Sequence, residues 1–171
     1  GNSASSVGGG VFVYSNSGDE LLVLNSTFSG NSATDGGAIY QLGTIEAWLG
    51  NLTLVDNVAT VAGNADDITA DGAAITLSNS ILTHPSGSAN PECTGALAAA
   101  MLGSDNLIDT NASCLGGGNF RRARIALGAL ATLGFNGSGP TQSYTLVPGG
   151  GGNRDPVDAV VAGCFNPRSG V

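Results

Sequence analysis

From Gly1 to about Leu82 the chain alternates apolar residues with small polar ones in short runs, and Gly-Asn or Gly-Gly pairs punctuate those runs. A period of two is the pattern of a strand buried on one side only. Residues 21–24, 26–28 and 38–41 read as three such strands. The Gly and Asn pairs supply positive-φ backbone at corners. The pattern weakens after about Thr83. Residues 95–101 and 126–133 suit either a short helix or an inward strand, and residues 148–152 form a glycine-rich run.

The runs repeat. Gly30-Asn31-Ser32-Ala33-Thr34 echoes Gly1-Asn2-Ser3-Ala4-Ser5, and Asp56-Asn57-Val58-Ala59-Thr60 is a third copy, so Asn2, Asn31 and Asn57 are spaced by 29 and 26 residues. Asn25-Ser26-Thr27-Phe28, Asn51-Leu52-Thr53-Leu54 and Asn79-Ser80-Ile81-Leu82 recur at 26 and 28. Gly8-Gly9-Gly10-Val11-Phe12 matches Gly36-Gly37-Ala38-Ile39-Tyr40 at 28, and Asp35-Gly36-Gly37-Ala38-Ile39 matches Asp71-Gly72-Ala73-Ala74-Ile75 at 36. The longer last interval predicts a ten-residue insertion, residues 61–70, looping out of the third repeat.

One such repeat cannot bury its apolar side chains alone, but stacked repeats can, each strand pairing with the next at about 4.8 Å. The expected fold is all-β: a right-handed parallel β-helix, with regular coils over residues 1–82 and a less regular continuation of the same domain over residues 83–171. Stacking also places like residues on like, so Asn2, Asn31 and Asn57 are expected to form a structural amide ladder.

Composition sharpens this picture. Charged residues are 11% of the chain and hydrophobic residues 42%, so the surface must be built from Ser, Thr, Asn and Gly. Lysine is absent; the cations are Arg121, Arg122, Arg124, Arg154 and Arg168, against thirteen acids. A net charge of −8 disfavours nucleic acid and anionic membranes as partners. Arg121, Arg122 and Arg124 are read as paired with acids or solvated. No apolar run is long enough for a transmembrane helix. Gly1 opens into polar, turn-forming sequence without a visible leader, as expected of a mature product or a fragment.

Cys93 and Cys114 are near enough in sequence to clip one loop, which suits an oxidising compartment. Cys164 is left over, either free or paired outside the chain. No Cys/His metal spacing occurs. Asp66, Asp67 and Asp71 are the one dense acid group; they are expected to be solvated in the insertion loop, or to form a weak Ca²⁺ site. His84 reads as an exposed turn residue. Asn25, Asn51, Asn111 and Asn136 lie in glycosylation sequons, which arise by chance in such repeats.

The stretch Asn25-Ser-Thr-Phe-Ser-Gly-Asn-Ser-Ala-Thr-Asp-Gly-Gly-Ala-Ile-Tyr40 resembles the repeat of bacterial pectate-lyase-like β-helix surface proteins, including polymorphic outer-membrane-protein repeats and the choice-of-anchor group. Leu127 to Thr141, Tyr144 to Pro148 and Pro156 to Ala159, leading to Cys164, resemble the C-terminal end of the choice-of-anchor group. The resemblance covers most of the chain and implies a disulfide clip between Cys93 and Cys114. Two features depart from it: Arg124-Ile125-Ala126 replaces an Asp-Pro, and the tail stops before a further cysteine.

Two function classes compete. A lyase needs a strong base, commonly Lys or Arg, and the arginines lie outside the regular coils; a glycosidase needs two carboxylates about 5–9.5 Å apart. No catalytic residue is therefore assigned. The expected function is a secreted or cell-surface structural or adhesive module, with a carbohydrate-active β-helix enzyme as the alternative. Gly1-Asn2-Ser3 begins mid-repeat, so the N-terminal end is expected to be open. Its expected partner is the rest of a longer surface protein or another copy of the chain, added head to tail as a filament. Glycans are further candidate partners.

Overall fold

The computed structural model describes residues 1–73, 75–83, 87–95, 106–108, 134–135 and 142–143. Those residues contain no helix. The chain runs through β1 (Val11–Ser15), β2 (Glu20–Leu24), β3 (Thr27–Ser29) and β4 (Ser32–Ala33). It then passes in the same order through β5 (Ile39–Gly43), β6 (Glu46–Gly50), β7 (Thr53–Val55) and β8 (Val58–Ala59). A third pass gives β9 (Ile68–Gly72), β10 (Ile75–Ser78) and β11 (Ile81–Thr83), and β12 (Cys93–Gly95) and β13 (Leu107–Ile108) follow.

Strands one pass apart pair in parallel. The first sheet has the order β1-β5-β9-β12, the second β2-β6-β10, the third β3-β7-β11-β13, with a short β4-β8 pair beside them. The exception is β14 (Gly134–Phe135) with β15 (Gln142–Ser143), which is antiparallel. Val11 pairs with Ile39, Ile39 with Ile68 and Ile68 with Cys93, so successive passes cover 28, 29 and 25 residues. The architecture is therefore all-β, made of parallel strands in stacked sheets, and is compatible with a parallel β-helix.

Alternation in each strand decides what is buried. In the first sheet Ile39, Ile68 and Cys93 are fully buried in one column, while Phe12 and Tyr14 on the opposite face are 51% and 56% exposed. Ala47, Leu49, Ile75 and Leu77 from the second sheet and Leu54 and Leu82 from the third complete the same core, with Val11, Leu21, Val23 and Phe28 packed against it. Each fully buried Leu or Ile contributes roughly 1.5–3 kcal/mol.

The corners use asparagine. Asn25, Asn51 and Asn79 lie between the second and third sheets, with φ of 50°, 53° and 48°. This left-handed conformation is one that Asn tolerates better than other side-chain-bearing residues. The next corner uses Gly30 (φ 64°) in one pass and Asp56 (φ 54°) in the following one.

The register corrects two sequence expectations. Asp71-Gly72 pairs with Leu42-Gly43 at the exit of the first sheet, and Ile68, not Ile75, is the partner of Ile39. The turn equivalent to Gly37-Ala38 is Asp66-Asp67, for Ala38 N–H donates to Asp67 O (3.1 Å) just as Asp67 N–H donates to Glu92 O (3.0 Å). The predicted ten-residue insertion is absent: Asn31 stands eight residues before Ile39, and Asn57 eleven before Ile68, so only the stretch from the ladder asparagine to the first sheet is longer, by three. The physical reason is that inward apolar residues, not Asp-Gly dipeptides, fix which strands pair. Beyond Leu82, where the regular coils were expected to end, β12 and β13 add strands to the first and third sheets.

Candidate functional site

The short β4-β8 pair and the turns leading from it into the first sheet carry the densest polar network. Asn31 Oδ1 accepts the backbone N–H of Asn2 (2.9 Å) and its Nδ2 (3.3 Å). Asn57 Oδ1 accepts the N–H of Asn31 (3.0 Å) and its Nδ2 (2.9 Å). Asn57 Nδ2 in turn donates to Phe28 O (3.1 Å) and to Asp67 Oδ1 (2.8 Å). The three asparagines thus stack as an amide ladder whose last rung is a carboxyl group. Asn31 and Asn57 are buried, where an unanswered amide would cost about 1–3 kcal/mol.

Asp66 and Asp67 were expected to be solvated in a loop; both are fully buried. Asp66 Oδ1 accepts Ala59 N–H (2.7 Å) and Asn90 Nδ2 (3.1 Å), and its Oδ2 accepts Ser88 Oγ (2.5 Å). It ties β8 to the segment before β12. Burial pushes the Asp67 carboxyl well above the usual carboxylate range; the Asn57 hydrogen bond opposes that shift, while the charges of Glu92, Asp66 and Asp56 add to it. Asp71 is exposed and stands apart from this pair, accepting Tyr40 OH at 3.0 Å. Partial burial, that hydrogen bond and the charges of Asp71 and Asp35 push the Tyr40 hydroxyl up to about 12. Among the described residues, no three His, Cys, Asp or Glu side chains are placed to hold a metal.

Sequence reasoning missed three participants. Glu92 is fully buried one pass beyond Asp67. Asn90 donates Nδ2 to Ala59 O (2.8 Å) and accepts Gly63 N–H (2.9 Å). Asn106 repeats the ladder geometry at the corner just before the third sheet, accepting Ser80 N–H (2.9 Å) and donating to Leu77 O (2.9 Å). Its signal was a position 26 residues beyond Ser80, where the residue type changes and the motif is lost. Cys93 is buried and disulfide-bonded. Cys114, Cys164, His84, Asn111, Asn136 and the five arginines lie outside the described residues.

The outer faces carry aromatic residues. The Phe12 and Tyr40 rings lie 6.1 Å apart at 38°. On the second sheet Leu22, 45% exposed, is the strand partner of Trp48. A shallow cleft of about 270 Å³ beside it is lined by Thr44, Glu46, Ala47, Trp48, Ala73 and Thr76. Glu20, the strand partner of Glu46, stands on the same face. No family model, curated protein or solved structure matches the chain.

Proposed function

We propose that the chain is a non-catalytic structural or adhesive module, a right-handed parallel β-helix that works outside the cell or at its surface. The observation that carries this reading is the asparagine ladder. Its buried amides hold successive passes together and leave the outer faces free to vary. Exposed Phe12, Tyr14 and Leu22 on adjoining faces support adhesion, since clustered exposed apolar side chains mark contact surfaces. The disulfide at Cys93 supports an oxidising location, with Cys114 as its proposed partner.

A carbohydrate-active enzyme is the second reading, favoured by Glu46 beside Trp48 in the cleft and by Glu20 at its partner position. One experiment separates the two. The purified chain is incubated with neutral and acidic polysaccharides, and both retention and release of reducing ends are measured. Retention without turnover, weakened in Phe12→Ala and Trp48→Ala, supports adhesion. Turnover abolished by Glu46→Gln overturns it.

A further inference from the structure

The cleft on the second sheet is a step in side-chain size. Leu22, Trp48 and Thr76 succeed one another as strand partners across β2, β6 and β10. Trp48 is large, whereas Ala73 and Thr76 of the following pass are small, and the drop between them leaves about 270 Å³. Pockets that enclose a drug-sized ligand hold roughly 300–1,000 Å³, so this step takes one ring or one head group rather than a length of chain.

Three kinds of surface meet there. Trp48 is half-buried with its Nε1 hidden from solvent, so what the indole presents is ring carbon. Such a surface packs against apolar C–H groups and attracts a cation. Thr44 is exposed and Thr76 half-buried, and their hydroxyls can both donate and accept. Glu46 is exposed and is the one charged side chain among the described residues of the lining. No hydrogen bond or ion pair holds its carboxylate among the described residues. It stands two residues from Trp48 on β6, and alternation puts the two side chains on one face.

Each surface selects. Ring carbon bordered by hydroxyls suits a pyranose, which has a C–H face and a hydroxyl rim. The Glu46 carboxylate repels a uronate and attracts a protonated amine. We propose that this step is a binding subsite for an amine-bearing pyranose, a glucosamine unit of a polysaccharide, with its ring on Trp48 and its amine at Glu46. The assignment rests on the adhesive reading above and gives that reading a ligand class.

Trp48 is the only tryptophan in the chain, so its fluorescence reports on this cleft. The full chain is titrated, in mildly acidic buffer of low ionic strength, with tetramers of glucosamine, N-acetylglucosamine, glucose and galacturonate. A saturable change is expected with the glucosamine tetramer, at a Kd at least about tenfold below those of the acetylated and neutral tetramers. Glu46→Gln should erase that preference. Asp56→Asn, which removes the same charge at the corner after β7, should keep it. Equal affinity for the amine and acetylated forms overturns the proposal. So does loss of the preference in both variants alike, because that marks general attraction to a chain of charge −8. Retention on neutral polysaccharides without a Trp48 response to glucosamine overturns the proposal and leaves the adhesive reading standing; neither retention nor response overturns both. Should Glu46→Gln fail to fold, the comparison of amine and acetylated tetramers on the unsubstituted chain decides.

Discussion

Asn57 answers Asn31 twice through a single oxygen: Asn57 Oδ1 accepts both the backbone N–H and the Nδ2 of Asn31, at 3.0 and 2.9 Å. Truncating Asn57 strands those two donors, Phe28 O and Asp67 Oδ1 in a buried site. Asn57→Ala is expected to cost about 3–5 kcal/mol in urea unfolding, against less than about 1 kcal/mol for Asn2→Ala at the exposed end of the ladder. Equal costs at the two positions would show that the ladder is not cooperative through its buried rungs.

The corner asparagines can be tested through their backbone. Asn51 has φ 53° and donates Nδ2 to Asn25 Oδ1 at 3.1 Å. Asn51→Ala keeps the corner but adds left-handed strain of roughly 1–2 kcal/mol, whereas Asn51→Gly relieves the strain and should stay within about 1 kcal/mol of the unsubstituted chain. Thermal unfolding of the two variants measures the order; alanine more stable than glycine contradicts it.

Tyr40 gives a spectroscopic prediction. Ultraviolet titration is expected to show one tyrosine ionising near 12, and Asp71→Asn should lower that value without restoring it to 10, because burial is the larger cause. A raised folded value means that this group's contribution to stability is lost as pH climbs above the ordinary tyrosine range. A Tyr40 value unmoved by Asp71→Asn counts against the hydrogen bond.

Gly37 marks where two passes touch. A Cβ there would lie 2.3 Å from Asp66 O and 2.7 Å from Val58 N, both backbone atoms. Gly37→Ala is therefore expected to cost about 3 kcal/mol, measured as a fall in the urea midpoint, since neither neighbour is a side chain that can swing away. Val61→Ala, on the exposed side of the same pass, should change stability by less than about 0.5 kcal/mol.

Much of this was legible in the residues. The ladder positions Asn2, Asn31 and Asn57 could be read because an amide carries a donor and an acceptor, so stacking favours the same residue in each pass. The corners Asn25, Asn51 and Asn79 recurred for a different reason, their shared positive φ. The third pass was misread because Asp71-Gly72 imitates Asp35-Gly36 in letters but not in position. There the entry turn is Asp66-Asp67, two acids with no counterpart in Gly9-Gly10 or Gly37-Ala38. Their burial was illegible because it depends on Ala59, Ser88 and Asn90, which reach Asp66 from other parts of the chain. Glu92, one pass beyond Asp67, announces itself by no motif at all.

The ladder has a direction. The side-chain oxygens of Asn31, Asn57, Ser80 and Asn106 each accept a backbone N–H from an earlier pass: those of Asn2, Asn31, Leu52 and Ser80. A ribosome delivers the earlier pass first. During synthesis, then, these amide donors wait for the residues that will answer them, and the growing chain closes its ladder about one pass behind the point of emergence.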